Sequence, residues 1–329
     1  MKNNHDSDVV KQSKSALKQW GPDWRQAAKH HAKHKHRDLL DFQNIGIGRA
    51  VLCIANGYSF EENLETIRNF QDKCDIMVVD KALKNCVEHG IKPKYVVVCD
   101  RHVSYEKYLK PIENELSDVT LFANVCANPK WTDNGNWKDI RFFVNKDCLN
   151  SEIELMELSG CQTAIAAGTN VSNALIVLLT QCDDQGARNF FGYDKILTIG
   201  FDYCWDEHYY AFDHDGDGKR NYMRGVYVYD LAGRFCYTST NLLFSSKWLD
   251  RYIAAFKIPV IQCSRRSIQK GFKIGDLAEQ IQYQYCPEDS QKVISLLEYR
   301  RKLSSQIEEI NAKIVEIGQD HLKQLMRTT

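Results

Sequence analysis

Apolar residues in this chain gather in short continuous runs, at residues 51–54, 76–79, 95–99, 119–123, 141–144 and 195–199. Between the runs, apolar positions recur every three or four residues, as at Leu64, Ile67 and Phe70, and again at Leu83, Cys86 and Val87. The first pattern predicts buried strands and the second predicts helices with one apolar face. Residues 174–179 are apolar all round and predict a helix enclosed on every side. Strands alternating with helices predict an α/β fold, a Rossmann-like and mostly parallel sheet flanked by helices.

The pattern divides the chain into three parts. Residues 1–45 are polar and predict a helical N-terminal segment, residues 46–287 carry the strand and helix alternation, and residues 288–329 change period again. In that last part Leu296, Leu303, Ile307, Ile310, Ile314 and Ile317 follow alternating three- and four-residue steps, with Arg300 as the polar interruption. Such a seam predicts a long coiled-coil helix. A helix of three or four heptads is not stable alone, so its seam must meet another chain or the N-terminal helix. Self-association into a homo-oligomer is the expected outcome.

Composition narrows the partners. The 329 residues are 43% hydrophobic, and 43 basic residues balance 43 acidic ones. The chain can therefore bury a sizeable core, and no overall field points to nucleic acid or to an anionic membrane. No apolar run approaches the length of a bilayer span, and the first residues lack a signal-peptide pattern, which predicts a soluble, cytoplasmic protein. The 12 cysteines are scattered singly, with no CxxC pair, and read as reduced core residues.

Several side chains carry candidate chemistry. In a parallel sheet ligands bind beyond the carboxyl ends of the strands, where Asn56, Ser59, Asp80 and Asp100 would gather. The small polar stretch Gly168, Thr169, Asn170, Ser172 and Asn173 opens the apolar helix. Free backbone N–H groups at such an entry suit a phosphate or sugar, and Thr169 or Asn170 can equally serve as a simple cap. Asp213, Asp215 and Asp217, with Gly218, open like a calcium loop, but Arg224 stands where the bidentate Glu belongs. The loop reads either as a weak site for a divalent cation, Mg or Ca, or as a solvated excursion within a long hairpin or lid formed by residues 209–212 and 226–229. His30 and His34 lie one helical turn apart in a basic run, which reads as a solvated face, a phosphate contact or a shared metal.

These residues together carry a resemblance. Ile54 to Phe60, read as I-A-N-G-Y-S-F, resembles the G-N-G-P-S-L turn of the bacterial sialyltransferase-like fold and of the related motility accessory factor and 6-hydroxymethylpterin diphosphokinase (MptE-like) family. Gly90-Ile91-Lys92-Pro93-Lys94 before the strand ending at Asp100 is similar to that family's GIKPD segment, and Ile199-Gly200-Phe201-Asp202 is similar to its LIGxD strand. The similarity covers roughly residues 46–275. It implies a nucleotide-binding transferase, foremost a sialyltransferase-like glycosyltransferase using a CMP-activated nonulosonic acid. It also implies that Asn56, Gly57 and Ser59 hold the nucleotide phosphate, that Gly168, Thr169 and Asn170 line the donor, and that Asp202 edges the site. Tyr58 replaces the family's proline. The general-base His of that fold has no counterpart between Arg220 and Val260, leaving His208, His214, Asp202 or Asp100 for the proton. One alternative is diphosphate transfer from ATP to a hydroxymethyl pterin, with magnesium held by Asp80, Asp100 and Asp202. Another is a non-catalytic assembly or virion-associated protein that reuses the fold.

Overall fold

The computed structural model describes residues 4–146, 150–166, 168, 170–180, 182–183, 186–187, 190–206, 209–212 and 225–282, together with 296, 299, 302, 303, 306, 310 and 313 of the C-terminal segment. The chain divides into two compact units, Met1–Gln284 and Tyr285–Thr329. The first unit holds the N-terminal helix as well as the sheet. Among the described residues no helix is long and apolar enough to cross a membrane.

The first unit opens with α1 (Asn4–His31), then β1 (Ala50–Ile54), α2 (Tyr58–Glu62), α3 (Leu64–Phe70), β2 (Asp75–Val79), α4 (Asp80–Glu88) and β3 (Tyr95–Val98). It continues through α5 (Tyr105–Tyr108), β4 (Thr120–Asn124), α6 (Pro129–Asn134), β5 (Asp139–Asn145), α7 (Ser151–Ser159), β6 (Ala164–Ile165) and α8 (Val171–Thr180). A small pair, β7 (Cys182–Asp183) and β8 (Gly186–Ala187), precedes β9 (Lys195–Ile199). Last come β10 (Val226–Tyr229), β11 (Phe235–Thr238), α9 (Thr240–Phe256), β12 (Val260–Gln262), β13 (Lys273–Ile274) and α10 (Leu277–Gln282).

Among the described residues nine strands form one sheet in the order β13-β12-β9-β1-β2-β3-β4-β5-β6, and every neighbouring pair is parallel. The apolar runs are continuous because both faces are covered. Thus β2 and β3 are buried at every residue, and α8 is buried from Asn173 to Thr180. From β1 the chain steps outward through β2 to β6, then returns to lay β9 on the other flank of β1. The order reverses between β1 and β9. In open α/β sheets, the region beyond the carboxyl ends of the strands at such a reversal is where ligands are taken.

One expected pairing is corrected. Residues 226–229 do not pair with 209–212; β10 forms an antiparallel ribbon with β11, in the register Tyr227 to Tyr237 and Tyr229 to Phe235. Asp230 closes the turn by accepting the Ala232 and Arg234 N–H groups, at 2.9 and 2.8 Å. Nearest neighbours with a short turn pair at lower entropic cost than distant segments. The free cysteines at 53, 74, 86, 126, 161, 204, 236 and 263 are buried, as small apolar residues would be.

In the second unit, Leu296, Leu303 and Ile310 are helical and 67%, 41% and 55% exposed.

Candidate functional site

The turn leaving β1 crosses the turn leaving β9 at close range. Gly57 N–H donates to the Gly200 carbonyl at 3.0 Å. A Cβ on Gly200, whose φ is +73°, would lie 2.1 Å from the Ala55 carbonyl oxygen, and one on Gly57 would lie 2.5 Å from the Gly200 oxygen. Both positions need glycine for this approach. Beyond the crossing, the Ser59 hydroxyl donates to Asp202 Oδ1 at 2.5 Å, Ser59 N–H donates to Oδ2 at 2.8 Å, and the Ser59 oxygen accepts Gly200 N–H at 2.8 Å. Ser59 and Asp202 are both buried. In this structure they fasten β9 to the start of α2, and the Ser59 hydroxyl and the Asp202 carboxyl face each other. Burial pushes the Asp202 carboxyl up to about 7 against the opposing pull of the Ser59 bonds and Arg266.

The row of polar strand ends runs on across β2 and β3. Asp80 begins α4 directly from the end of β2, buried, with its Oδ1 accepting the Lys81 N–H at 2.7 Å. Burial raises this carboxyl to about 6, with Lys81 pulling the other way. Asp100, after β3, is exposed, and its Oδ1 accepts His102 N–H at 2.9 Å. Arg101 beside it reaches Asn128 Oδ1 at 3.4 Å. Asn56 Oδ1 accepts from Asn85 of α4 at 3.4 Å, which ties the β1 turn to the β2 helix. Each of two adjacent strands therefore ends in an acidic residue followed by a basic one, Asp80-Lys81 and Asp100-Arg101. Carboxylates and cations so spaced suit a phosphate and the cation that accompanies it.

Residues 209–212 lie across this edge. Ala211 N–H donates to the Asn56 carbonyl at 3.0 Å, and Phe212 N–H donates to Glu61 Oε2 at 2.8 Å. Phe212 stacks on His89, with ring centroids 4.5 Å apart, and adopts φ +59°. The Lys81 ammonium donates to the Tyr210 hydroxyl at 2.9 Å and lies 4.7 Å from its ring. Burial pulls the Lys81 pKa down, yet Tyr210 and Asp80 outweigh it and hold the ammonium above the usual lysine value. The strap covers this edge as the lid reading of residues 209–212 has it, although residues 226–229 pair elsewhere. Its aromatic pair Tyr209-Tyr210 before the aspartate loop was the available signal.

The second predicted turn lies at the same edge. Asn170 caps α8 by accepting Asn173 N–H at 2.9 Å. Asn173 is buried, donating to the Ser245 carbonyl at 3.1 Å and accepting the Tyr203 hydroxyl at 2.7 Å. Gly168, with φ +64°, has room for no side chain beside Asn173 and Trp248. Through Tyr203, one residue beyond Asp202, the α8 entry joins the β9 end, and its Asn173 amide packs against α9. Thr169, His208, His214, Asp213, Asp215 and Asp217 lie outside the described residues.

His30 and His34 belong to a different surface. His30 Nε2 lies 2.9 Å and His34 Nε2 lies 3.6 Å from Asp133 of α6, so the helix face is docked instead of solvated. Between them His31 is buried, its Nδ1 2.9 Å from the Val125 carbonyl. Among the described residues no group of three or more His, Cys, Asp or Glu side chains could hold a metal ion.

With this geometry in place, comparison with known proteins gives the family. The family model described as 6-hydroxymethylpterin diphosphokinase MptE-like matches residues 24–208. The chain belongs to the MptE-like family. That match takes in the β1 turn, the Asp80 and Asp100 strand ends and Asp202. Among curated proteins none matches this MptE-like chain. A solved structure titled as a MAf glycosyltransferase from Magnetospirillum magneticum AMB-1 shares its fold with a TM-score of 0.62 at 15% identity. The alignment covers 83% of this chain and 41% of that one, so the MptE-like chain spans less than half the length of that neighbour.

Proposed function

We propose that the chain is a nucleotide-dependent transferase, with the phosphates of its donor seated over the carboxyl ends of β1, β2 and β3. The observation that carries this reading is the pair of acidic-basic ends of the neighbouring strands β2 and β3, Asp80-Lys81 and Asp100-Arg101, with the Asn56 turn tied to the helix that Asp80 begins. Lys81 and Arg101 neutralise phosphate oxygens.

Glycosyl transfer from a CMP-activated nonulosonic acid is the first reading. It needs a base for the acceptor hydroxyl, and the expected histidine is missing. Asp80 fills that role: a carboxyl raised to about 6 is largely ionised at neutral pH and still basic enough to take a proton in the transition state. Ser59 and Asp202 act as positioning residues that hold the turn. Diphosphate transfer from ATP is the second reading, favoured by the adjacent carboxylates of Asp80 and Asp100. Together they suit a magnesium ion that completes its shell with phosphate oxygens and water. Bound there, the ion would spread the charge of the transferring phosphates.

Thermal shift against CMP, CDP, ATP and GTP, with and without magnesium, separates the readings, because a ligand that binds only the folded state raises Tm. A CMP response without metal supports glycosyl transfer, and a magnesium-dependent ATP response supports diphosphate transfer. Failure of all four nucleotides to move Tm sinks the transferase reading and leaves the assembly-protein alternative.

A further inference from the structure

The β10-β11 ribbon carries an aromatic face that the strand-end site leaves unused. Side chains alternate across a strand, so the pairs Tyr227 to Tyr237 and Tyr229 to Phe235 place four rings on one side, while Val228 and Cys236 turn to the other. Tyr227, Tyr229 and Phe235 are 62%, 65% and 53% exposed. Their rings touch one another: Tyr227 and Phe235 stack at 4.9 Å, and Tyr229 meets Phe235 edge to face at 5.8 Å. The ribbon is fixed to the body. Leu231 N–H donates to the Ser267 carbonyl at 2.9 Å and Ala232 N–H donates to the Arg265 carbonyl at 3.2 Å, while within the turn Arg234 pairs with the buried Asp230 at 2.8 Å. A rigid apolar face held in water marks a recognition surface.

The face leads to the β2 strand end. Tyr237 exchanges backbone hydrogen bonds with Trp205, at 2.7 and 2.8 Å, and their rings stack at 6.4 Å. Trp205 meets Tyr209 at 4.7 Å, Tyr209 meets Tyr210 at 4.5 Å, and Tyr210 holds Lys81. A continuous file of rings thus joins the ribbon to the donor site.

We propose that this face seats a carbohydrate acceptor, with the C–H sides of pyranose rings laid on Tyr227, Tyr229 and Phe235 and sugar hydroxyls met by the phenol oxygens. The proposal rests on the glycosyl-transfer reading and names its acceptor class. Size argues for a sugar over a second copy of the chain. Three rings at this exposure offer on the order of 300–450 Å², about half of the roughly 800 Å² per partner in a stable protein interface. Same-face neighbours along a strand lie about 6.7 Å apart and facing strands about 4.8 Å apart, the footprint of one or two pyranose rings. The four side chains bear no formal charge, which suits a neutral polyhydroxylated ligand.

Saturation-transfer NMR with N-acetyllactosamine, maltotriose and chitotriose as probes tests the assignment. Saturation is expected to reach the C–H protons of at least one sugar, to fall about tenfold in the Tyr227→Ala, Phe235→Ala double variant, and to weaken in Tyr229→Ala. The melting curve of each variant checks that it is folded, and the nucleotide-induced Tm shift should be unchanged in both. No transfer to any of the three sugars, or equal transfer in the double variant, overturns the proposal. So does a fall in light-scattering mass in the double variant, which would assign the face to self-association. A wild-type chain that binds sugar but no nucleotide would instead refute the donor reading while leaving the ribbon a carbohydrate surface.

Discussion

Single residues decide how the crevice works, and two of them make opposite predictions. Tyr210 competes with any anion for Lys81. Removing its hydroxyl in Tyr210→Phe deletes a hydrogen bond worth about 1 kcal/mol and keeps the ring, so nucleotide affinity measured by calorimetry should rise about threefold to tenfold. A weaker Kd would show instead that the phenol is itself a ligand contact. Asp202 governs stability. Its folded-state value, near 7, lies above that of an unfolded aspartate, so its contribution is complete below about pH 4 and is lost as pH rises through 7. Asp202→Asn should flatten that fall, which is on the order of 2–4 kcal/mol between pH 4 and 7. The smaller slope from Asp80, ending near pH 6, should remain. Denaturant midpoints across that range check the prediction, and an unchanged slope would reject the buried, largely neutral carboxyl.

At the scale of elements, α1 is held by titratable contacts. His31 is buried against Phe142 of β5, at 5.1 Å, with His30, His34 and Asp133 around it. Burial lowers it to about 4, despite the Val125 carbonyl and Asp133, so the neutral ring is the docked form. Its stabilisation is present above pH 6.5 and is lost as pH falls through 4, by on the order of 2–3 kcal/mol. His34 and His36 are also lowered by burial and add to the same acid limb. His31→Gln keeps polar partners without titrating, and should shrink the acid-induced change in emission of Trp20 and Trp24, which α1 carries. An unaltered acid limb would place the switch elsewhere. The strands were legible because burial on both faces writes continuous apolar runs, so β1, β2, β3, β4, β5 and β9 lie where the runs lie. What escaped was decided by partners distant in sequence. Nothing local to Ser59 announces Asp202, 143 residues away, and nothing in residues 209–212 says that their amides will cap the Asn56 turn. The pairing of the ribbon is hidden for a related reason: residues 209–212 and 235–238 are both aromatic, and the turn that Asp230 closes selects the second.

At the scale of the whole molecule, the strand-end groups and the seam residues fall in different units. Every described strand-end group lies in Met1–Gln284, while the seam residues lie in Tyr285–Thr329. Leu296, Leu303 and Ile310 repeat at seven-residue intervals on a helix and are exposed within this chain. Apolar side chains at that interval gain most by meeting their own kind in a second helix. The chain is therefore expected to self-associate through this segment, and truncation after Pro287 should lower the light-scattering mass to that of a monomer while the nucleotide response persists. Leu303→Lys, which sets like charges against each other in the seam, should produce the same dissociation in the full-length chain. If the truncated chain keeps its mass, association runs through the first unit; if the nucleotide response disappears with the tail, the seam supports the crevice as well as the assembly.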